Sequence, residues 1–171
     1  MNEELGPRFA DALGYVVHVH ADQRRKGTDV PYVAHLLAVA GLVIEDGAAT
    51  GRLREDEAIA ALLHDSAEDQ GGEARPADIG ERFGGRVAQI VRACSDTLPE
   101  DGDKAPRREP KEAYLAHLES EADLGVLRVS LADKVNNARA VLADYRVLGE
   151  PFWERFNRDA DTPWYYRRLA D

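Results

Sequence analysis

The stretch Ala61-Leu62-Leu63-His64-Asp65-Ser66-Ala67-Glu68-Asp69 puts an imidazole and three carboxylates within six positions of an otherwise apolar run. On a helix, His64 lies one turn from Glu68 and Asp65 one turn from Asp69, while Leu62, Leu63 and Ala67 help to fill a core. Burying an isolated carboxylate costs several kcal/mol even after relaxation, so such a cluster calls for a cation. Two more ligand-type residues sit in similar settings. His35 lies within Tyr32-Val33-Ala34-His35-Leu36-Leu37, and Asp133 lies within Val129-Ser130-Leu131-Ala132-Asp133-Lys134. A lone histidine on an apolar helix is ordinarily a hydrogen-bonded core residue. Together, however, His35, His64, Asp65 and Asp133 offer two imidazoles and two carboxylates, enough for one metal site. Nitrogen and oxygen ligands in equal number, without thiolate, suit Mn²⁺ and are also compatible with Fe²⁺, Zn²⁺ and Mg²⁺. A metal so held polarises a phosphoryl oxygen and lowers the pKa of bound water, which is the chemistry of hydrolysis at neutral pH.

The elements that must position these residues read as helices. Apolar residues recur at helical spacing nearly throughout, and runs of alternating β-branched residues are missing, which predicts an all-α fold. A single domain over 1–171 is expected, with a core at about 6–145 and an aromatic helical tail at 150–171. The spacing predicts helices over about 6–24, 31–46 and 55–69. The second is opened by Pro31 and stopped near Gly47; the third is begun by Glu55, Asp56 and Glu57 and ended by Gly71-Gly72. A short helix from Pro76 to Gly84-Gly85 and another through Val87, Ile90 and Val91 follow. Helix resumes at about 110–121, and the stretch 123–145, with Leu127, Val129, Leu131, Val135 and Val141, reads as a central core helix. Between them, residues 96–110 carry Pro99, Gly102, Pro106 and Pro110 and read as a surface loop, either a functional lid or a plain connection. The tail aromatics Phe152, Trp153, Phe156, Trp164, Tyr165 and Tyr166 are expected to seal the core rather than to bind a base.

A net charge of −10 excludes broad attraction to nucleic acid, so no nucleic-acid partner is expected. A small anionic ligand then needs a local basic patch and a cation. No apolar run approaches the roughly 18 residues of a membrane helix, and the start Met-Asn-Glu-Glu lacks a leader pattern. No membrane partner and a cytoplasmic location are the expectation. Cys94 is the only cysteine, which leaves no intramolecular disulfide and points to a buried thiol. The residues carry no signal of oligomeric state.

The order His35, then His64-Asp65, then a distant Asp133 resembles the HD superfamily of metal-dependent phosphohydrolases. The fuller pattern is narrower. Gln23-Arg24-Arg25-Lys26, Pro31-Tyr32-Val33-Ala34-His35, the segment 61–69, Phe83-Gly84, and Leu131-Ala132-Asp133-Lys134-Val135-Asn136-Asn137-Ala138-Arg139 are similar to the alarmone hydrolase branch. That branch includes the hydrolase domain of RelA/SpoT proteins and the small, MESH1-like alarmone hydrolases, which remove the 3′-diphosphate of (p)ppGpp using manganese. The resemblance covers about residues 15–145, and the small form is the closer match.

The resemblance implies that His35, His64, Asp65 and Asp133 hold one Mn²⁺, while Glu68 and Asp69 handle the attacking water. It implies that Arg25, Lys26 and Asn137 contact a small anionic nucleotide. Arg24, Lys104, Arg107, Arg108 and Lys111 are further candidates for its phosphates. Without the resemblance, Arg25 and Lys26 read as a solvated helix terminus. His18, His20 and His117 fall outside the ligand pattern and are expected in surface or capping roles, which leaves a second metal without ligands. The chain departs from the family in three places. Leu36 replaces the usual proline, Lys134-Val135-Asn136-Asn137 replaces Arg-Leu-His-Asn, and Ala140 stands where threonine or aspartate often touches the base or ribose. The implied activity is a Mn-dependent (p)ppGpp 3′-pyrophosphohydrolase. The alternatives are an HD phosphohydrolase of another nucleotide, such as an adenine alarmone, a nucleoside monophosphate or NADPH, and a catalytically silent nucleotide sensor.

Overall fold

The structure, a computed structural model, describes residues 1–66, 74–95, 108–155 and 162–170. Eight α-helices are described: α1 Pro7–Val19, α2 Val33–Ala49, α3 Glu55–Leu63, α4 Ala74–Phe83, α5 Gly85–Ser95, α6 Arg108–Ser120, α7 Leu124–Leu148 and α8 Thr162–Ala170. A 3-10 helix, Glu150–Arg155, joins α7 to the tail. The expected all-α fold is present, and the single β-type contact among the described residues is an isolated bridge between Arg24 and Pro31. None of the described helices is long and apolar enough to cross a membrane.

The short helix α3 is the hub. Its residues from Glu57 to Leu63 are all buried, and α1, α2, α5 and α7 pack around it. Around it gather Val16 from α1, Leu36, Val39 and Val43 from α2, Val87, Ile90 and Val91 from α5, and Val126 and Val129 from α7. Glu55, Asp56 and Glu57 open α3 where the helix dipole favours negative charge. Arg8 bonds both Glu55 and Asp56, and the buried Glu57 is neutralised by Arg128 of α7. Asp123 caps α7 by accepting from the Gly125 and Val126 N–H groups, and Gly149, at φ 65°, ends it.

Three boundaries and one face differ from expectation. Helix α2 passes Gly47 and stops at Thr50-Gly51; Gly47 lies inside it because a Cβ there would come 2.9 Å from the Leu53 Cα. Helix α1 ends at Val19, and residues 23–32 fold back as a tight turn in which Arg25 N–H bonds the Val30 carbonyl and Tyr32 N–H bonds that of Gln23. Helix α3 ends at Leu63, and His64 and Asp65 occupy a turn; residues 67–69 of the expected helix lie outside the described residues. Lastly, Leu131 and Val135, expected in the core, are 42% and 44% exposed on the outer face of α7.

Candidate metal centre and nucleotide cavity

In the turn that follows Leu63, His64 keeps helical backbone angles, and its Nε2 lies 3.1 Å from Asp65 Oδ2. From α2, His35 Nε2 lies 3.3 Å from both Asp65 Oδ2 and Asp133 Oδ1. From α7, Asp133 Oδ1 is also 3.7 Å from His64 Nε2. Three helices thus bring His35, His64, Asp65 and Asp133 to one point, as expected.

The surrounding bonds orient these donors. The Ala61 carbonyl can only accept, so His64 Nδ1 is the protonated nitrogen, donating at 2.8 Å and leaving Nε2 to face the carboxylates. His35 Nδ1 is held in the same way by Asn136 Oδ1 at 2.7 Å, an oxygen that also accepts from Arg25. Tyr32 O–H donates to Asp65 Oδ2 at 2.5 Å, and Lys134 Nζ donates to Asp133 Oδ2 at 2.7 Å. The two inward Nε2 atoms and the Asp65 carboxylate lie close enough together to hold a divalent cation, and Asp133 Oδ1 lies 3.3 Å from one of them.

The protonation equilibria agree. Burial opposes the imidazolium form, yet the two carboxylates overcome it, so His35 is raised and His64 is raised well above the ordinary value. Burial would raise Asp65 and Asp133; the His64 and His35 rings hold Asp65 low, and Lys134 with the same rings holds Asp133 low. Without metal, protons on the imidazoles supply the positive charge that the carboxylates demand.

A cavity of about 430 Å³ opens beside this centre, walled by Arg25 and Lys26 of the 23–32 turn, Asn137 and Ala140 of α7, Phe152 and Tyr166. Asn137 links the two spaces: its Nδ2 donates to Asp133 Oδ1 at 2.6 Å while its Oδ1 accepts from Arg25 at 3.1 Å. The structure therefore brings Arg25, Lys26 and Asn137 together as expected. Arg24 does not join them, because its guanidinium folds back onto the Ala21 and Gln23 carbonyls. Lys111 sits 5.0 Å over the Tyr165 ring. Glu68, Asp69, Lys104 and Arg107 lie outside the described residues, as does the side chain of Arg108.

Several site features were not foreseen. Tyr32, Asn136 and Lys134 gain their roles from position: Tyr32 stands three residues before His35, and Lys134 adjoins Asp133. Asn136 replaces the family's histidine yet still receives the His35 Nδ1 proton. His20 is buried rather than superficial: it stacks on Tyr32 at 5.4 Å and faces Ser66 Oγ at 3.4 Å. Phe152 and Tyr166 wall the cavity, and the Phe152–Trp153–Tyr145 aromatic group lies apart from the central core. Phe152 is itself buried, 2% exposed, where the 3-10 helix packs on α7. Cys94 is, as expected, an inert thiol, raised by burial and 3.5 Å from Ser130 Oγ.

A family model described as an HD domain matches residues 12–147. The chain belongs to the HD domain family. Membership implies a divalent metal, consistent with the His-His-Asp group found here. Among similar proteins, guanosine-3′,5′-bis(diphosphate) 3′-pyrophosphohydrolase MESH1 of Xenopus tropicalis is 34% identical over 134 residues, covering 75% of this chain and 66% of that protein. A guanosine-3′,5′-bis(diphosphate) 3′-pyrophosphohydrolase of Aquifex aeolicus is 33% identical over 131 residues, 76% of this chain and 17% of that one. The HD-domain chain thus spans about two thirds of the frog relative and a small part of the bacterial one. A solved structure of a metazoan ortholog of SpoT that hydrolyses ppGpp shares the fold, with a TM-score of 0.67 and 21% identity over 98% of both chains.

Proposed function

We propose that this HD-domain chain is a Mn²⁺-dependent, mononuclear (p)ppGpp 3′-pyrophosphohydrolase acting in the cytoplasm on a small nucleotide, independently of nucleic acid and membrane. The observation that carries the reading is the placement of a four-residue metal centre against a cavity with two basic side chains, joined by Asn137. The 3′-diphosphate faces His35, His64, Asp65 and Asp133, and Arg25 and Lys26 neutralise phosphate charge that a protein of net charge −10 would otherwise repel. The metal, when bound, polarises a phosphoryl oxygen and acidifies water. Glu68 takes the proton of the attacking water, and Asp69 orients either that water or the Glu68 carboxylate. Water oxygen bonds to the phosphorus nearest the ribose, the bond from phosphorus to O3′ breaks, and O3′ ends protonated. The products are GDP or GTP and pyrophosphate. Lys104, Arg107 and Arg108 complete the phosphate contacts in this reading.

One observation favours a second reading. Ala140 lines the cavity where the family often presents threonine or aspartate, so a methyl replaces a base or ribose contact and another nucleotide becomes a fitting substrate. One assay separates the two. Metal-stripped protein is incubated with ppGpp and a nucleotide panel, with and without Mn²⁺, beside Asp65→Ala, and products are resolved by anion exchange. GDP and pyrophosphate formed only with metal and intact Asp65 support the first reading. Cleavage of other nucleotides with ppGpp intact supports the second, and silence on every substrate despite bound metal removes both.

A further inference from the structure

Helix α7 is apolar on two opposite faces. Val126, Val129 and Asp133 face the core and the metal centre. On the other side Leu124, Leu131, Val135 and Leu142 are 57%, 42%, 44% and 48% exposed. Their spacings of seven, four and seven place all four within about 20° of one line along the helix, a stripe about 27 Å long. That is the seven-residue pattern of a helix–helix seam, and a helix apolar on both faces is one that is covered on both. Beside the stripe lies a groove of about 250 Å³ between α7 and α2, lined by Leu42, Leu131, Ala132 and Val135.

The charges flanking the groove identify the occupant. Helices α2 and α7 run antiparallel, because Asp46 bonds Arg128 at 2.7 Å while His35 bonds Asn136 at 2.7 Å. The groove is therefore bipolar. Exposed Glu45 and Asp46 mark the end level with Arg128, and exposed Arg139 marks the end beyond Asn136. Arg128 itself is neutralised within the chain by Asp46 and Glu57.

We propose that the outer face of α7 is covered by a second copy of this chain, with the two α7 helices antiparallel about a two-fold axis crossing them near Asp133. That operation sets Leu124 against Leu142 of the second copy and Leu131 against its Val135. It keeps the α2 flanks of both copies on one side, so exposed Glu45 of each meets Arg139 of the other. With the helices parallel, each α2 flank faces the opposite flank of the other copy and both charge pairs are lost. A two-fold interface must be self-complementary, and a groove acidic at one end and basic at the other is so only in the antiparallel arrangement. The net charge of −10 per copy opposes association, which makes these cross pairs decisive.

Sedimentation equilibrium of the full chain tests this. The wild type is expected to be dimeric at micromolar concentration. Leu131→Lys with Val135→Lys is expected to be monomeric, with unchanged helical circular dichroism. Glu45→Arg alone and Arg139→Glu alone each weaken the dimer about tenfold, while the double exchange, which restores opposite charges, recovers most of that loss. These charge exchanges lie on the surface and keep the test sound if the double lysine variant fails to fold. A wild type that stays monomeric at high micromolar concentration overturns the proposal and leaves the stripe to a partner of different sequence. A dimer that survives the folded lysine variant, or a charge exchange without recovery, overturns it too.

Discussion

Replacing Tyr32 by phenylalanine removes one oxygen atom from the wall of the metal centre and little else. The hydroxyl donates to Asp65 Oδ2 at 2.5 Å, the same oxygen that faces both histidine Nε2 atoms. Without it, the carboxylate rotates more freely and presents that oxygen to the cation for a smaller share of the time. A hydrogen bond to a charged group contributes about 1.5–3 kcal/mol. Asp65 is 18% exposed, so water replaces part of the lost bond, and the low end applies. A loss of about 1.4 kcal/mol corresponds to about tenfold weaker Mn²⁺ binding, at the lower edge of the effect usual for groups that orient metal ligands. Phenylalanine keeps the ring contacts with His20 and His35, both at 5.4 Å, so the metal-free melting temperature should fall by only about 3–6 °C, the share of the lost bond itself. Titration calorimetry of metal-stripped protein with Mn²⁺ measures the affinity, and Asp65→Ala, which removes a ligand, should show no binding at the same concentrations. Mn²⁺ affinity unchanged by the phenylalanine substitution would falsify the orienting role, whereas a large fall in metal-free melting temperature would make the hydroxyl structural.

Other outcomes follow from the same geometry. Saturating Mn²⁺ at about 100 times its Kd should stabilise the folded chain by about 2.7 kcal/mol, read as a rise of about 5–10 °C in differential scanning calorimetry; because His35 and His64 are raised and must lose protons to bind metal, the rise should shrink as pH falls. Asp123→Ala deletes the cap of α7 and the Arg86 pair, costing about 1–2 kcal/mol in urea unfolding at pH 7. Asp123 is held down to about 2, chiefly by Arg86, so this contribution is complete above the unfolded value of 3.8 and is lost as pH falls through about 2; the wild type and variant should converge there. Gly47→Ala gains about 1 kcal/mol of helix propensity but drives a Cβ to 2.9 Å from the Leu53 backbone, and that overlap, worth about 1–3 kcal/mol, should win and lower the melting temperature. Arg25→Ala should raise KM for the nucleotide more than it lowers kcat, since Arg25 walls the cavity and bonds Asn137 rather than a candidate metal ligand.

Much of the centre was legible because its residues contradict their surroundings. His35, His64-Asp65 and Asp133 stand in apolar helices where burial is costly, and the structure places all four at one point. The groups that hold them were harder to read. Tyr32, Asn136 and Lys134 look like ordinary polar residues at helix ends and edges, and their roles arise from contacts spanning up to 101 positions, as between His35 and Asn136. The end of α3 at Leu63 was also hidden, because the apolar spacing and composition permit helix beyond it.

By itself, the amino-acid sequence determined the helical class and the HD family, because periodicity and motif spacing are properties of the chain read locally. Tertiary structure alone decided which side of each helix is covered. Leu131 and Val135 carry the same periodicity as Val129, yet Val129 packs on α3 and they face outward. It also made Phe152, buried at 2% exposure, and Tyr166 walls of the cavity. Periodicity states that an apolar face exists, whereas the neighbour that covers it is set by how all the helices pack at once.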